Sequence, residues 1–343
     1  MMSTAALEFD YLDLADCTPE RCRGALGAAV LGTGTAAPPV GFPLARVHAP
    51  LLGRAGAALE LWRAGQVSHQ GRHGAVHYSA GEALMFGSLS LDERLAGGTG
   101  EAPPPLQAAT SRAYRELFAT LALTGHPHLI RVWNYIPDIN LETHGLERYR
   151  QFNSARQEAL LACGRASPLA APAASALGSS HGSPLVVYFL ASRQAPTLIE
   201  NPRQMSAYHY PQEYGPSSPV FSRAAVLGAG DAATLFISGT ASIVGHRTVH
   251  AGDPVAQTRE SLANIEAVIE QAARGGLARK PPLERLAYKV YVRDPADLPR
   301  VRTELHAALG TGAAVLYLQA DVCRRDLAVE IEAVWAAAPR AAG

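Results

Sequence analysis

DVCRRDLAVEIEAVW, residues 321–335, reads as a late strand that carries two carboxylates inside an otherwise apolar run. Side chains alternate across a strand, so Leu327, Val329 and Ile331 share one face while Ala328, Glu330 and Glu332 share the other. The first is a core face. The acidic face is either ordinary decoration turned to solvent or the wall of a site, and the strand alone leaves both open.

The totals narrow the choice of partners. With 343 residues the chain exceeds one typical domain, so two domains of similar size are expected. Its 30 basic and 30 acidic residues cancel, which removes the electrostatic footprint that nucleic-acid binding requires. MMSTAALEFDYLDLADC at the N-terminus has acids where a secretory signal has lysines, and no apolar run approaches the ~20 residues of a membrane span. A soluble cytoplasmic protein is the expectation, with no membrane or nucleic-acid partner. The cysteines Cys17, Cys22, Cys163 and Cys323 are scattered, and the chain contains neither CxxC nor HExxH, so free thiols and no metal or other cofactor are expected.

The chain also repeats itself. ALMFGSLSLDE (83–93) and TLFISGTASIVGH (234–246) are apolar strands broken by Gly87 and Gly239, and each leads into an amphipathic helix. Those helices are LQAATSRAYRELFATLAL, with Ala113, Leu117, Phe118 and Leu121 on one stripe, and VAQTRESLANIEAVIEQA, with Leu262, Ile265 and Ile269. A β-rich run follows in both halves (129–140 and 286–298), then a second helix (147–161 and 299–310). SPLVVYFLASRQAPTLIENP (183–202) is set against GAAVLYLQADVCRRDLAVEIEA (312–333) as a closing strand pair. The order strand, helix, strand, helix, strand pair thus occurs twice, predicting an α+β fold of two pseudo-symmetric copies. The Ala-, Ser-, Gly- and Pro-rich stretch 163–184 reads as a surface loop, and residues 1 to about 80, broken by GTGTAAPPVGFP, as β-rich material packed on the first copy. The expected organisation is a first domain over 1–200 with its β-rich leader, a bridging segment over 201–223 and a second domain over 224–343.

Residues 234–335 resemble the RidA family, small proteins with a sheet backed by two helices that trimerise and place sites between subunits. LFISGTASI, QTRESLANIEAVIEQA, KVYVRDPADLPRVRTEL and LAVEIEAV carry the resemblance. The arginine with which RidA-type imine deaminases grip a carboxylate falls here at Val315, which argues against that activity. The whole chain looks like a chorismatase, a family that builds two RidA-like (chorismate mutase-like) copies into one polypeptide. The matching motifs are RVWNYIPDIN, GLERYRQFNSAR, IENPRQMSAYHYPQEYGPSSPVFSR, SGTASIVGHRTVH and DVCRRDLAVEIE.

Chorismate is a dicarboxylate, and arginine's planar fork suits a carboxylate. Arg150, Arg156 and Arg223 lie in the matching motifs and are the expected grips, with Tyr210 and Tyr214 as phenolic donors and Thr240 and Ala241 beside them. The resemblance makes Glu330 the proton donor to the enolpyruvyl group, with Glu332 structural. It also implies the product, since aromatising members have glycine and cysteine at the positions of Gly239 and Cys323; 3-hydroxybenzoate and pyruvate are therefore expected. Hydrolysis to a trans-dihydroxycyclohexadiene carboxylate, a mixture of 3- and 4-hydroxybenzoate, and non-catalytic metabolite binding stay open. GAGDAA (228–233) imitates a dinucleotide fingerprint but precedes a strand, and His209 and His246 read as structural. Two internal copies allow a self-contained monomer.

Overall fold

Helix α1 (Pro105–Thr124) forms because Leu106, Ala109, Ala113, Leu117 and Leu121 recur at helical spacing and are all buried, while Gly125, in the left-handed region at φ 68°, ends it. Helix α2 spans Arg148–Ala162. Helix α3 (Pro254–Gly275) starts at Asp253, whose side chain accepts from the backbone N–H groups of Val255 and Ala256, and α4 spans Leu298–Leu309. The structure, a computed structural model, describes residues 7–33, 40–95, 103–230 and 232–336. Residues 34–39 of GTGTAAPPVGFP, Asp231 of GAGDAA and the first residues of the N-terminal stretch fall outside the described residues. Among the described residues no helix is long and apolar enough to cross a membrane.

The repeat is real at the level of topology. One six-stranded sheet runs Ala173–Ser179, His128–Pro137, Leu185–Ser192, Leu84–Leu91, Val76–Gly81, Val67–His73. The other runs Ala314–Gln319, Ala287–Val292, Val329–Ala336, Thr234–Ala241, Ala224–Leu227, Thr197–Ile199. In both, the first two strands pair in parallel and the rest are antiparallel. The fold is therefore α+β with two RidA-like copies in one chain.

Two expectations need correction. The stretch 163–184 is not merely a surface loop, because Ala173–Ser179 within it is a largely buried strand, the counterpart of Ala314–Gln319. Its small residues answer to crowding between the copies: the N–H of Ala174 donates to Ser238 Oγ at 2.9 Å, and a Cβ on Gly178 would come within 2.8 Å of Asp321 Cβ. The closing strands also align differently. Leu185–Ser192 matches Val329–Ala336, and Thr197–Ile199 pairs with Ala224–Val226 in the second sheet.

The leader forms its own four-stranded sheet, ordered Leu44–Val47, Ala25–Leu31, Ala58–Ala64, Leu7–Asp13, again with a parallel outer pair followed by antiparallel ones. It repeats the first four strands of each copy, counted from the parallel edge and in the same chain order, without their α-helices. The leader packs against both copies: Trp62 shares one core with Phe86, Trp133 and Tyr188 of the first and Phe236 and Tyr291 of the second. Residues 67–81 extend the first sheet.

Equivalent positions of the three sheets converge on one ammonium. Glu60, Tyr188 and Glu332 lie opposite Ala29, Trp133 and Lys289 on their neighbouring strands. Lys289 Nζ sits 2.5 Å from Glu60 Oε2, 2.8 Å from Glu332 Oε1 and 3.1 Å from the Tyr188 hydroxyl. Burial opposes the charge on Lys289, but the two carboxylates reverse that and hold its pKa well above the ordinary value.

Candidate active site

The Val329–Ala336 strand keeps the alternation read from its sequence. Val329, Ile331, Ala333 and Trp335 pack with α3 and α4, and Glu330 and Glu332 turn inward between the copies. The strand continues past Glu332 to Ala336.

Two residues apart, the carboxyls meet opposite environments. Glu332 accepts from Arg131 Nη2 at 2.7 Å, Ser175 Oγ at 2.6 Å and Trp133 Nε1 at 2.8 Å, besides its pair with Lys289. Burial alone would raise its pKa; Lys289 and Arg131 outweigh that and hold it below the ordinary value. Glu330 has no such set of donors and is 4% exposed. Burial, and then the charge on Glu332, push its pKa up to about 8 against the pull of Arg131 and Arg223. At neutral pH Glu330 is an acid.

It faces a cavity of about 690 Å³ between the copies. The first copy supplies Tyr149 and Arg150 from α2, the bridging segment supplies Tyr210, Tyr214 and Arg223, and the second copy supplies Gly239, Ala241, Cys323 and Arg324. A small inner extension reaches Asn134, Arg156 and Ser175. Three buried guanidinium nitrogens here, Arg156 Nε, Arg223 Nε and Arg324 Nη2, have no hydrogen-bond partner. Buried donors are rarely left unpaired, so their shared unmet need points to an anionic ligand.

The remaining contacts fix these groups in place. Arg223 Nη2 donates to the Met205 carbonyl at 2.7 Å and to the Tyr210 hydroxyl at 2.9 Å. Arg324 lies 3.9 Å over the Tyr214 ring and donates from Nη1 to the His246 carbonyl at 2.9 Å. Arg156 lies 5.2 Å from the Tyr114 ring. The Tyr214 hydroxyl meets His246 Nδ1 at 3.1 Å. Arg150, half-exposed and 3.4 Å from Glu147, stands at the mouth.

Gly239 has a steric reason. A bulge between Ile237 and Thr240 brings its N–H to Ser175 Oγ at 2.9 Å, and a Cβ on Gly239 would collide with Glu330 Oε1. The same bulge takes Thr240 off the cavity wall, contrary to expectation; its Oγ1 donates to the Ser238 carbonyl at 2.8 Å. Cys323 is partly buried beside Glu330, and desolvation first, then that neighbour, push its thiol up to about 12, so it carries no thiolate at neutral pH.

Sequence reasoning missed Tyr149, Arg324, Ser175, Asn134 and Arg131. Tyr149 and Arg324 stand inside the quoted motifs GLERYRQFNSAR and DVCRRDLAVEIE, which was the available signal. Burial, then Cys323, raise the Tyr149 phenol far above its ordinary value, so it is a neutral donor. Among the described residues no group of three or more His, Cys, Asp or Glu could hold a metal ion.

A protonated carboxyl beside guanidinium nitrogens that lack partners, walled by both copies, is suited to acid chemistry on a small anion. The family described as "Chorismatase FkbO/Hyg5-like, N-terminal" matches residues 60–191. A chorismatase of Streptomyces rapamycinicus is 40% identical over 282 residues, covering 80% of this chain and 81% of its own. A 3-hydroxybenzoate synthase of Streptomyces hygroscopicus is 39% identical over 286 residues, covering 80% of each. The crystal structure of a chorismatase matches with a TM-score of 0.87 at 36% identity, covering 98% of this chain and 100% of the other. The chain belongs to the chorismatase family.

Proposed function

We propose that the chain converts chorismate to 3-hydroxybenzoate and pyruvate, with Glu330 as the proton donor. The observation that carries this reading is a buried carboxyl, its pKa pushed up to about 8, facing a cavity with three unpartnered guanidinium nitrogens. Arg223, Arg324 and Arg156 suit the two carboxylates of chorismate, while Tyr210, Tyr214 and Tyr149 add donors and ring contacts.

In this reading Glu330 gives its proton to the terminal methylene carbon of the enolpyruvyl group, leaving positive charge on the ether carbon. The neighbouring ring hydroxyl adds to that carbon, and the bond between its oxygen and the ring then breaks while the ether oxygen stays on the ring. The hydrogen on the ether-bearing ring carbon leaves as a proton as the ring aromatises, restoring the acid form of Glu330. The remaining hemiketal collapses to pyruvate and the phenol, which keeps the former hydroxyl proton. Every atom of chorismate is then divided between 3-hydroxybenzoate and pyruvate, and no water is consumed. Gly239 supports this branch because it lets the Glu330 carboxyl sit against the strand, and the aromatising members that the chain resembles have glycine and cysteine at the positions of Gly239 and Cys323.

Incubation with chorismate in 18O-labelled water, followed by chromatography and mass spectrometry, tests the proposal. Unlabelled 3-hydroxybenzoate is expected. A non-aromatic diol, with the solvent oxygen going to pyruvate, assigns the chain to hydrolysis, a mixture of hydroxybenzoates to a third branch, and binding without turnover to a non-catalytic role.

A further inference from the structure

The three-sheet arrangement turns each kind of interface into a recurring place. The catalytic cavity lies where the far end of Thr234–Ala241 meets the edge strand Ala173–Ser179. One step round the axis, their counterparts are Leu84–Leu91 of the first copy and Leu44–Val47 of the leader. A cleft of about 640 Å³ lies there, comparable with the 690 Å³ of the catalytic cavity.

Its walls combine cations with an apolar floor. Arg46 and His48 come from the leader, and Arg72 and His77 from the hairpin that extends the first sheet. Phe42, Leu44, Tyr78 and Leu89 provide apolar surface, and Ser88 and Ser90 provide hydroxyls. No acidic residue lines the cleft, and neither arginine is in an ion pair among the described residues. Burial first, and the neighbouring guanidinium second, hold both imidazoles below their ordinary value, so the arginines supply the positive charge. Val186, paired with Ser90 and Tyr135, stands where Glu330 pairs with Ala241 and Tyr291, so this place has no acid.

We propose that this cleft is a second binding site, for a small ring carboxylate that it holds without converting. The two arginines match the anion, and the aromatic and aliphatic floor matches the ring. The site does not depend on which reaction the catalytic cavity performs.

Calorimetric titration of the full-length Glu330→Gln chain with 3-hydroxybenzoate tests it. Two equivalents are expected. Arg46→Ala with Arg72→Ala should weaken one of them about 10- to 100-fold. The same pair of substitutions, with Glu330 intact, should leave turnover unchanged. If the double variant fails to fold, Ser90→Trp, which fills the cleft from an exposed position, makes the same test. A single equivalent untouched by these changes overturns the proposal, as does displacement by inorganic phosphate as effective as by the ring carboxylate. Two equivalents in a chain that leaves chorismate intact would sink the catalytic reading and leave this one standing.

Discussion

Glu330 and Glu332 share a strand face, yet one is acid and the other is salt. Glu332 is matched by Arg131 and Lys289, and its charge helps keep the proton on Glu330. Glu330→Gln should lower turnover by about 10²- to 10⁴-fold, as for loss of a general acid, with chorismate affinity retained. Wild-type turnover should fall as pH rises through about 8, where Glu330 loses its proton. The same shift acts on stability. The folded chain keeps this proton up to about 8, whereas the unfolded chain releases it near 4.5, so Glu330 costs stability progressively as pH rises between those values. The Gln variant should therefore be more stable than wild type above pH 8, by on the order of a few kcal/mol in chemical denaturation, and the advantage should vanish below 4.5. Gly239→Ala should displace the carboxyl and shift the product ratio away from 3-hydroxybenzoate, read by chromatography. Alternation and motif resemblance made Glu330, Gly239 and Cys323 legible. Arg324 was not, because a charged residue beside a strand looks like surface until Tyr214 is seen beneath it.

At the scale of elements, the helices were legible because their apolar stripes repeat at helical spacing, as α1 and α3 show. The strand Ala173–Ser179 was not. Ala, Ser and Gly signal a loop in one dimension, and only the facing copy explains why nothing larger fits. Gly87 shows the same logic. It pairs directly with Phe189 across the sheet, and a Cβ there would enter the Phe189 ring. Gly87→Ala should destabilise the fold by about 1–3 kcal/mol through overpacking, measured by chemical denaturation. Adding Phe189→Leu should recover part of that loss, because the two residues are in contact.

At the scale of the molecule, two full copies and a third sheet without α-helices among its described residues close around Lys289. The leader's place was not legible, since without helices its strands carry no repeat signature and its pairing depends on contacts far away in sequence. Lys289→Met would leave Glu60 and Glu332 buried without their shared cation and should destabilise the fold by about 3–5 kcal/mol, read as a lower denaturation midpoint. Both copies and the bridging segment of the same chain supply walls of the candidate cavity. We therefore expect a turnover rate per chain that does not change on dilution, checked by assays across a wide range of protein concentration. The central claim concerns one proton, and infrared difference spectroscopy of wild type against Glu330→Gln, followed across pH, observes it directly. A protonated-carboxyl band that persists at pH 7 and disappears near 8 is the predicted result; a carboxylate already ionised at pH 6 would contradict the account.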